Sequence, residues 1–313
     1  MQEKPTIAIS IGDINGIGIE IALKAHEKIK KFCKPLYFIN DNMLKKASKL
    51  LNIEIPKDFE TEYIPGDFEI KPGKVDKDSG KFSFESFKTA TIMTKNGICE
   101  ALVTLPIHKK AWEKAGIKYK GHTDFLRDFF KKDAIMMLGC EELFVALFTE
   151  HIPLKDVPKN IKTKKLKNFL LNFYLSLITR NSSLKIPVLA LNPHAGDNGV
   201  LGNEEKKIKK AIKKANKNIK RDVFIGPIVP DIAFIPKMRE KYKIYVAMYH
   251  DQGLIPLKAL YFEESINISL NLPIIRTSVD HGTAFDIAYK KDREINLKSY
   301  INAVKYAVNM VKE

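Results

Sequence analysis

The sequence predicts an α/β protein built on a largely parallel sheet, and three observations carry that prediction. Short apolar, β-branched runs recur along the 313 residues. Helix-like segments separate most of them, which is the alternation that builds βαβ units. The runs LFVALFT and IYVAMY are apolar at nearly every position, as expected of strands covered by helices on both faces. In chain order, strands are expected over residues 6–10, 36–39, 101–104, 143–149, 187–191, 244–249 and 266–270. Helices are expected over 19–30, 84–95, 166–177 and 204–220. Residues 64–80 are rich in Pro, Gly and Asp and read as a long surface excursion.

Composition narrows the function classes. The hydrophobic fraction of 45% fits a globular chain. No apolar run reaches the roughly 18 to 20 residues that span a bilayer, so no membrane role is expected. The polar start MQEKP argues against a signal peptide. Cys33, Cys99 and Cys140 lie far apart with no CxxC spacing, which argues against a disulfide framework and a cysteine zinc site and for a reducing, cytoplasmic setting. A net charge of +16 invites a nucleic-acid partner, but only six of the 53 basic residues are Arg. The densest Lys run, 204–221, carries Ile208, Ile212, Ala215 and Ile219 on one stripe, so its lysines read as a solvated helix face. No nucleic-acid partner is expected.

In open parallel sheets, ligands bind beyond the carboxyl ends of the strands. Three apolar strands here run into a histidine: His151 after LFVALFT, His194 after PVLALN and His250 after IYVAMY. With seven histidines in the chain, three at one kind of position favour a shared metal site over three separate turn braces. Neutral imidazoles suit a divalent ion, and three protein ligands leave room for substrate.

Other polar clusters admit two readings each. Gly121-His122-Thr123-Asp124 opens a potential helix and serves either as an anion site or as a simple cap. The turn Gly12-Asp13-Ile14-Asn15-Gly16-Ile17-Gly18 follows a strand and precedes a helix. It either approaches a phosphate or cofactor ring, or only packs tightly. Lys258 and Arg276 stand among apolar residues, where a cation needs a partner: a bound anion, or an internal acid such as Asp251, Asp280 or Asp286. His108 reads as a loop residue and His26 as a surface residue of a Lys-rich helix.

The segments GDINGIGIE, GHTDFL, TEHIPL, NPHAGDNGVLGNEE, MYHDQGLIPLK and INISLNLPIIRTSVDHGTAFDIA together resemble the 4-hydroxythreonine-4-phosphate dehydrogenase family of pyridoxal phosphate biosynthesis. They run from residue 12 to residue 288 in the family's order. The resemblance implies an isocitrate/isopropylmalate dehydrogenase-like fold of two α/β domains, 1–128 with 270–313 and 129–269. The second domain would carry a homodimer interface, with an active site in the cleft there. The implied reaction is oxidation of 4-phosphooxy-L-threonine with NAD or NADP, and decarboxylation of the product to 3-amino-2-oxopropyl phosphate. The family's metal ligands match His151, His194 and His250, holding one divalent ion such as zinc, magnesium or cobalt in a site shared by two subunits. Its substrate positions match His122, Thr123, Lys258, Asn267 and Arg276.

Cofactor contacts are expected at Gly12, Asp13 and Gly16, and at His281, Gly282, Thr283 and Asp286. The last four lie in DHGTAFDIA, which is similar to the segment that meets adenosine in isopropylmalate-type dehydrogenases. Asp251, beside His250, and Asp231 are the candidate acid–base residues. The chain departs from the family where Ile14-Asn15 stand for a usual Pro-Ala, Ile19 for Pro, and Tyr119-Lys120 for a small or apolar pair. The rival readings are a dehydrogenase of another four-carbon phosphorylated hydroxy acid, and an acyltransferase of related architecture, which needs no three-histidine site.

Overall fold

A computed structural model describes residues 3–177 and 183–312. The chain divides into two units, Met1–Ala134 with Ile266–Glu313, and Ile135–Ser265.

The first unit contains strands β1 (Thr6–Ser10), β2 (Lys34–Phe38), β3 (Glu60–Glu62) and β4 (Ala101–Thr104). The second contains β5 (Ile135–Cys140), β6 (Leu143–Leu147), β7 (Ile186–Leu189), β8 (Phe224–Ile228) and β9 (Ile244–Ala247). The chain then returns to the first unit for β10 (Ile266–Leu270) and β11 (Ile275–Val279).

In the first unit the strand order is β3-β2-β1-β4-β11-β10, parallel except that β10 runs antiparallel to β11. The carboxyl ends of β1, β4 and β11 therefore form one rim, and the antiparallel β10 brings its amino end, with Asn267 opposite Ser278, to the same rim. The helix Lys77–Lys95 packs on β1 and β4, and the helix Lys298–Lys312 on β4 and β11. In the second unit the order is β5-β6-β9-β7-β8. Its β5–β6 pair is antiparallel and the rest parallel, so β6, β7 and β9 also share a carboxyl rim. All residues of β5 and β6 are buried. The core of this unit packs Val145, Leu147, Leu189, Tyr245 and Ala247 of the sheet against Leu254 and Leu257 of the helix His250–Tyr261.

Strands β3, β5, β8 and β11 lie outside the sequence expectation; β3, β8 and β11 lack an unbroken apolar run, and β5 is apolar but has a single β-branched residue. β3 reads ETE, β5 reads IMMLGC, β8 is interrupted by Gly226-Pro227, and β11 carries Arg276 and two hydroxyl residues. The helix expected from residue 84 begins at Lys77, because the Asp76 side chain caps it by accepting the Asp78 N–H. Gly80 sits inside that helix because a Cβ there would fall 2.2 Å from the Ala111 carbonyl oxygen. His26 is not a surface residue. It is fully buried, with Nδ1 3.0 Å from the Tyr37 hydroxyl and Nε2 3.2 Å from Asp58. Its position continues the buried stripe Ile19, Ala22 and Ile29 at spacings of three and four, which outweighs its polarity.

Gly139 in β5 has φ +145, and a Cβ there would lie 1.9 Å from the Leu143 carbonyl oxygen. Gly139→Ala is expected to lower unfolding free energy by at least ~2 kcal/mol, read as a reduced urea midpoint. An unchanged midpoint refutes this account of the β5–β6 turn.

Candidate functional site

The first unit holds a buried cation among neutral groups. Arg276 is only 2% exposed. Its Nη1 donates to the Ser269 hydroxyl of β10 at 3.0 Å and its Nη2 to the Thr104 hydroxyl of β4 at 2.6 Å. Nη2 also lies 3.2 Å from His122 Nδ1. Among the described residues its hydrogen-bond partners are all neutral, and its Nε has none. Burial pulls its pKa down to about 9, so it remains cationic at neutral pH.

His122 opens the helix His122–Phe130 and packs its ring against Phe87 and Trp112, at centroid distances of 4.5 and 5.6 Å. Burial, with the adjacent Arg276 charge, holds its pKa well below the usual imidazole value. A neutral ring that accepts at Nδ1 carries its proton on Nε2, and that nitrogen is buried without a partner. The Arg276 Nε–H and the His122 Nε2–H are thus two unused donors beside one cation, and the Asn267 amide oxygen is an unused acceptor. Buried polar groups are rarely left unpaired, so this donor set fits an anionic ligand. Thr123 follows in the first helical turn and is partly exposed. Sequence reasoning missed Thr104 and Ser269, whose ordinary hydroxyls acquire meaning only once three strands are aligned.

The Gly-rich loop is tied down from several sides. The Asp13 N–H donates to Pro106 O at 2.8 Å, the Gly16 N–H to Asp13 O at 3.0 Å and the Ile17 N–H to Thr283 O at 3.1 Å. A Cβ on Gly12 would meet Pro106 O at 2.3 Å, and one on Gly16 would meet Thr283 O at 2.7 Å. These glycines are therefore required by close backbone packing. Asp13 is fully buried; its Oδ1 accepts from Ser79 and from the Asn15 N–H, and its Oδ2 has no partner. Gly282 is different, since a Cβ there would meet nothing within 4 Å. Thr283 is buried, His281 Nδ1 lies 3.0 Å from Gly282 O, and Asp286 is exposed. His108 does more than fill a loop. Its ring stacks on Phe285 at 4.7 Å and 18°, with a buried Nδ1 that has no partner. An open glycine and an imidazole–phenyl stack carried by one short segment, at Gly282 and Phe285, fit the approach of a flat, phosphorylated cofactor.

The histidine rim lies in the second unit. The Thr149 N–H and hydroxyl both reach Met248 O, so the ends of β6 and β9 stay zipped together. This places the rings of His151 and His250 side by side, with centroids 5.5 Å apart and planes at 44°. His250 Nδ1 lies 2.7 Å from Asp251 Oδ1, which leaves Nε2 for a ligand. Gln252 links β9 to β7: its Oε1 accepts the Met248 N–H and its Nε2 donates to Ala190 O, both at 2.7 Å.

Beyond β7, residues 194–198 all have positive φ. Glu205 secures this run. Its Oε1 accepts the Leu191 and Asn192 N–H groups at 3.1 and 2.9 Å, and Oε2 accepts from the Asn192 side chain at 3.0 Å. His194 is exposed on this run. Ligand atoms of the three histidines do not all come within 4.8 Å of one another in one chain; among the described residues His26, Glu27 and Asp58 do. The Lys30 ammonium occupies that other cluster, 3.0 Å from Asp58 and 2.7 Å from Glu27. The adjacent imidazoles of His151 and His250, with a carboxylate behind one of them, nevertheless form a donor set that suits a divalent ion. Lys258 lies on the helix His250–Tyr261 with its Nζ 5.3 Å from the Phe262 ring centroid, and Asp231 is exposed in the short turn Pro230–Ile232.

Fold and site together place the chain among α/β dehydrogenases of the isocitrate/isopropylmalate type. A solved 4-hydroxythreonine-4-phosphate dehydrogenase from Klebsiella pneumoniae superposes with a TM-score of 0.82 at 28% identity, over 100% of both chains. The family model described as pyridoxal phosphate biosynthetic protein PdxA matches residues 31–307, and the chain belongs to that family. Relatives named 4-hydroxythreonine-4-phosphate dehydrogenase are 63% identical in Sulfurimonas denitrificans (97% of each chain) and 57% identical in Campylobacter fetus subsp. fetus (98% of each). Among the described residues, no helix is long and apolar enough to cross a membrane.

Burial raises the Asp13 pKa from its ordinary 3.8 to about 6. The folded state therefore binds this proton more tightly than the unfolded chain, and ionising it costs stability as pH rises from about 4 to about 6. Asp13→Asn is expected to be neutral below that window and stabilising above it, by up to about 3 kcal/mol. Urea unfolding at about pH 3 and about pH 8, on either side of that window, measures this; a difference independent of pH contradicts it.

Proposed function

We propose that this chain oxidises the secondary alcohol of 4-phosphooxy-L-threonine, with NAD or NADP as acceptor and a divalent ion (zinc, magnesium or cobalt) in support. The product, 2-amino-3-oxo-4-phosphooxybutanoate, loses CO₂ to give 3-amino-2-oxopropyl phosphate on the route to pyridoxal 5′-phosphate. One observation carries this reading: a buried guanidinium that has only neutral partners, whose own Nε–H is unused and which sits beside the unused His122 Nε2–H, suits the phosphate or carboxylate of such a substrate. The family membership and the names of its relatives supply the substrate's identity.

A bound nicotinamide would supply the hydride acceptor, and a divalent ion would supply Lewis-acid polarisation of the alcohol oxygen. Arg276 and His122 grip the anionic end, and Thr123, Lys258 and Asn267 complete the substrate contacts. Binding energy at this unreactive end positions the reacting carbon. His151, His194 and His250 would hold the ion through neutral nitrogens. Asp251 keeps the His250 proton on Nδ1 and fixes the ring. Asp251 and Asp231 are the candidate carriers of the alcohol proton. Gly12, Asp13 and Gly16, with His281, Gly282, Thr283 and Asp286, would meet the cofactor, and Gly16 packs directly against Thr283.

A cytoplasmic homodimer completes the proposal. Leu154 and Val200, close in sequence to His151 and His194, stand 66% and 79% exposed, and each would gain by being covered by a second copy. A second copy would also complete the histidine set that one chain leaves apart.

Incubation with NAD⁺, a divalent ion and 4-phosphooxy-L-threonine is expected to produce NADH absorbance at 340 nm and to release CO₂. Absence of both with every ion and either cofactor defeats the reading, and full activity in excess chelator defeats the role of the metal. Arg276→Ala is expected to raise KM about 10- to 100-fold with a smaller change in kcat. An unchanged KM in a folded variant removes Arg276 from the substrate site.

A further inference from the structure

Asn15, in the Gly-rich loop, is fully buried. It makes three hydrogen bonds to one short turn. Its Oδ1 accepts the Lys71 N–H at 2.9 Å, its Nδ2 donates to Lys74 O at 3.0 Å, and its main-chain carbonyl accepts the Gly73 N–H at 2.8 Å. The turn is stiff in its own right. Pro72 and Gly73 are its central residues, the Lys74 N–H donates to Lys71 O at 3.0 Å, and Gly73 has φ +68, the pattern of a type II turn.

The far side of the turn lies against the Phe285 main chain, where a Cβ on Gly73 would meet Phe285 O at 2.5 Å. Two residues earlier, Thr283 O accepts the Ile17 N–H of the Gly-rich loop at 3.1 Å. The 283–285 segment is therefore fixed at both ends by groups that Asn15 joins: the loop it belongs to and the turn it grips. Gly282, with open space at its Cβ position, leads into that segment.

We infer that Asn15 is a positioning residue for the nicotinamide cofactor. It locks the Lys71–Lys74 turn between the Gly-rich loop and the Phe285 main chain and so holds the 281–286 surface in its binding shape. This rests on the reading above that the 281–286 segment meets the cofactor. An alanine at position 15 keeps the carbonyl bond to Gly73 but loses both side-chain bonds, so the turn would be held at one point in place of three.

The test is fluorescence titration of NADH into the full-length wild type and Asn15→Ala, alongside hydrogen exchange of individual amides and the KM for the phosphorylated substrate. The expected result is about tenfold weaker NADH binding with the substrate KM changed less than about twofold. The Lys71 amide should exchange faster while the Gly73 amide stays protected. Gly73→Ala, which pushes the turn off Phe285 while residue 15 stays asparagine, should show the same cofactor-selective loss and covers the case in which Asn15→Ala does not fold. Equal NADH affinity in wild type and the folded variants overturns the positioning role, as does a parallel loss of cofactor and substrate binding. A wild type that binds no NADH overturns instead the cofactor reading on which it rests.

Discussion

A guanidinium taken out of water with no counter-charge is the constraint around which the first unit is arranged. Removing a full charge from water is expensive unless its donors are met. Here two hydroxyls from separate strands and one imidazole meet part of the demand and leave the rest open. Neutral partners matter as much as their positions. A carboxylate in place of Thr104 or Ser269 would satisfy Arg276 permanently and close the site to an anion. The same cation explains the state of His122, since a second positive charge beside it is disfavoured and the ring stays neutral as acceptor at one nitrogen and donor at the other.

The second unit solves a different problem, which is to bring histidines from remote parts of the chain to one edge. Parallel pairing does the coarse work by aligning the ends of β6, β7 and β9. Side chains do the fine work. Thr149 fastens β6 to β9, Gln252 fastens β9 to β7, and Glu205 holds the run that follows β7. None of these three needs to touch a ligand. Their geometry makes the neighbouring imidazoles usable.

Much of this was legible in the sequence, and the limits are physical. Strands 6–10, 101–104 and 266–270 match residue for residue because each is a clean β-branched run bounded by turn residues. The expectation that ligands meet strand ends singles out His151, His194 and His250, and of these the rings of His151 and His250 are neighbours in one chain. β11 was hidden because its polar residues serve Arg276 and the sheet, so hydropathy alone gave no strand signal. His26 was misjudged because residue type was given more weight than its place on an apolar stripe. The neutral surroundings of Arg276 were illegible for a simpler reason: Thr104 is 172 positions away, and pairing at that separation is decided by topology.

The left-handed run at 194–198 has a consequence for how this protein can vary. Only glycine, asparagine and aspartate adopt that conformation with little penalty, yet a histidine and an alanine occupy two of its five positions. His194 and Ala195 store some conformational strain there, and the Glu205 carboxylate anchors Leu191 and Asn192, just ahead of the run. Drift at Glu205 would therefore surface as altered presentation of the His194 imidazole, two residues beyond the Asn192 that Glu205 holds, with the helix that carries Glu205 left intact. Neutral change in this enzyme should thus be scarcest at a carboxylate that performs no chemistry.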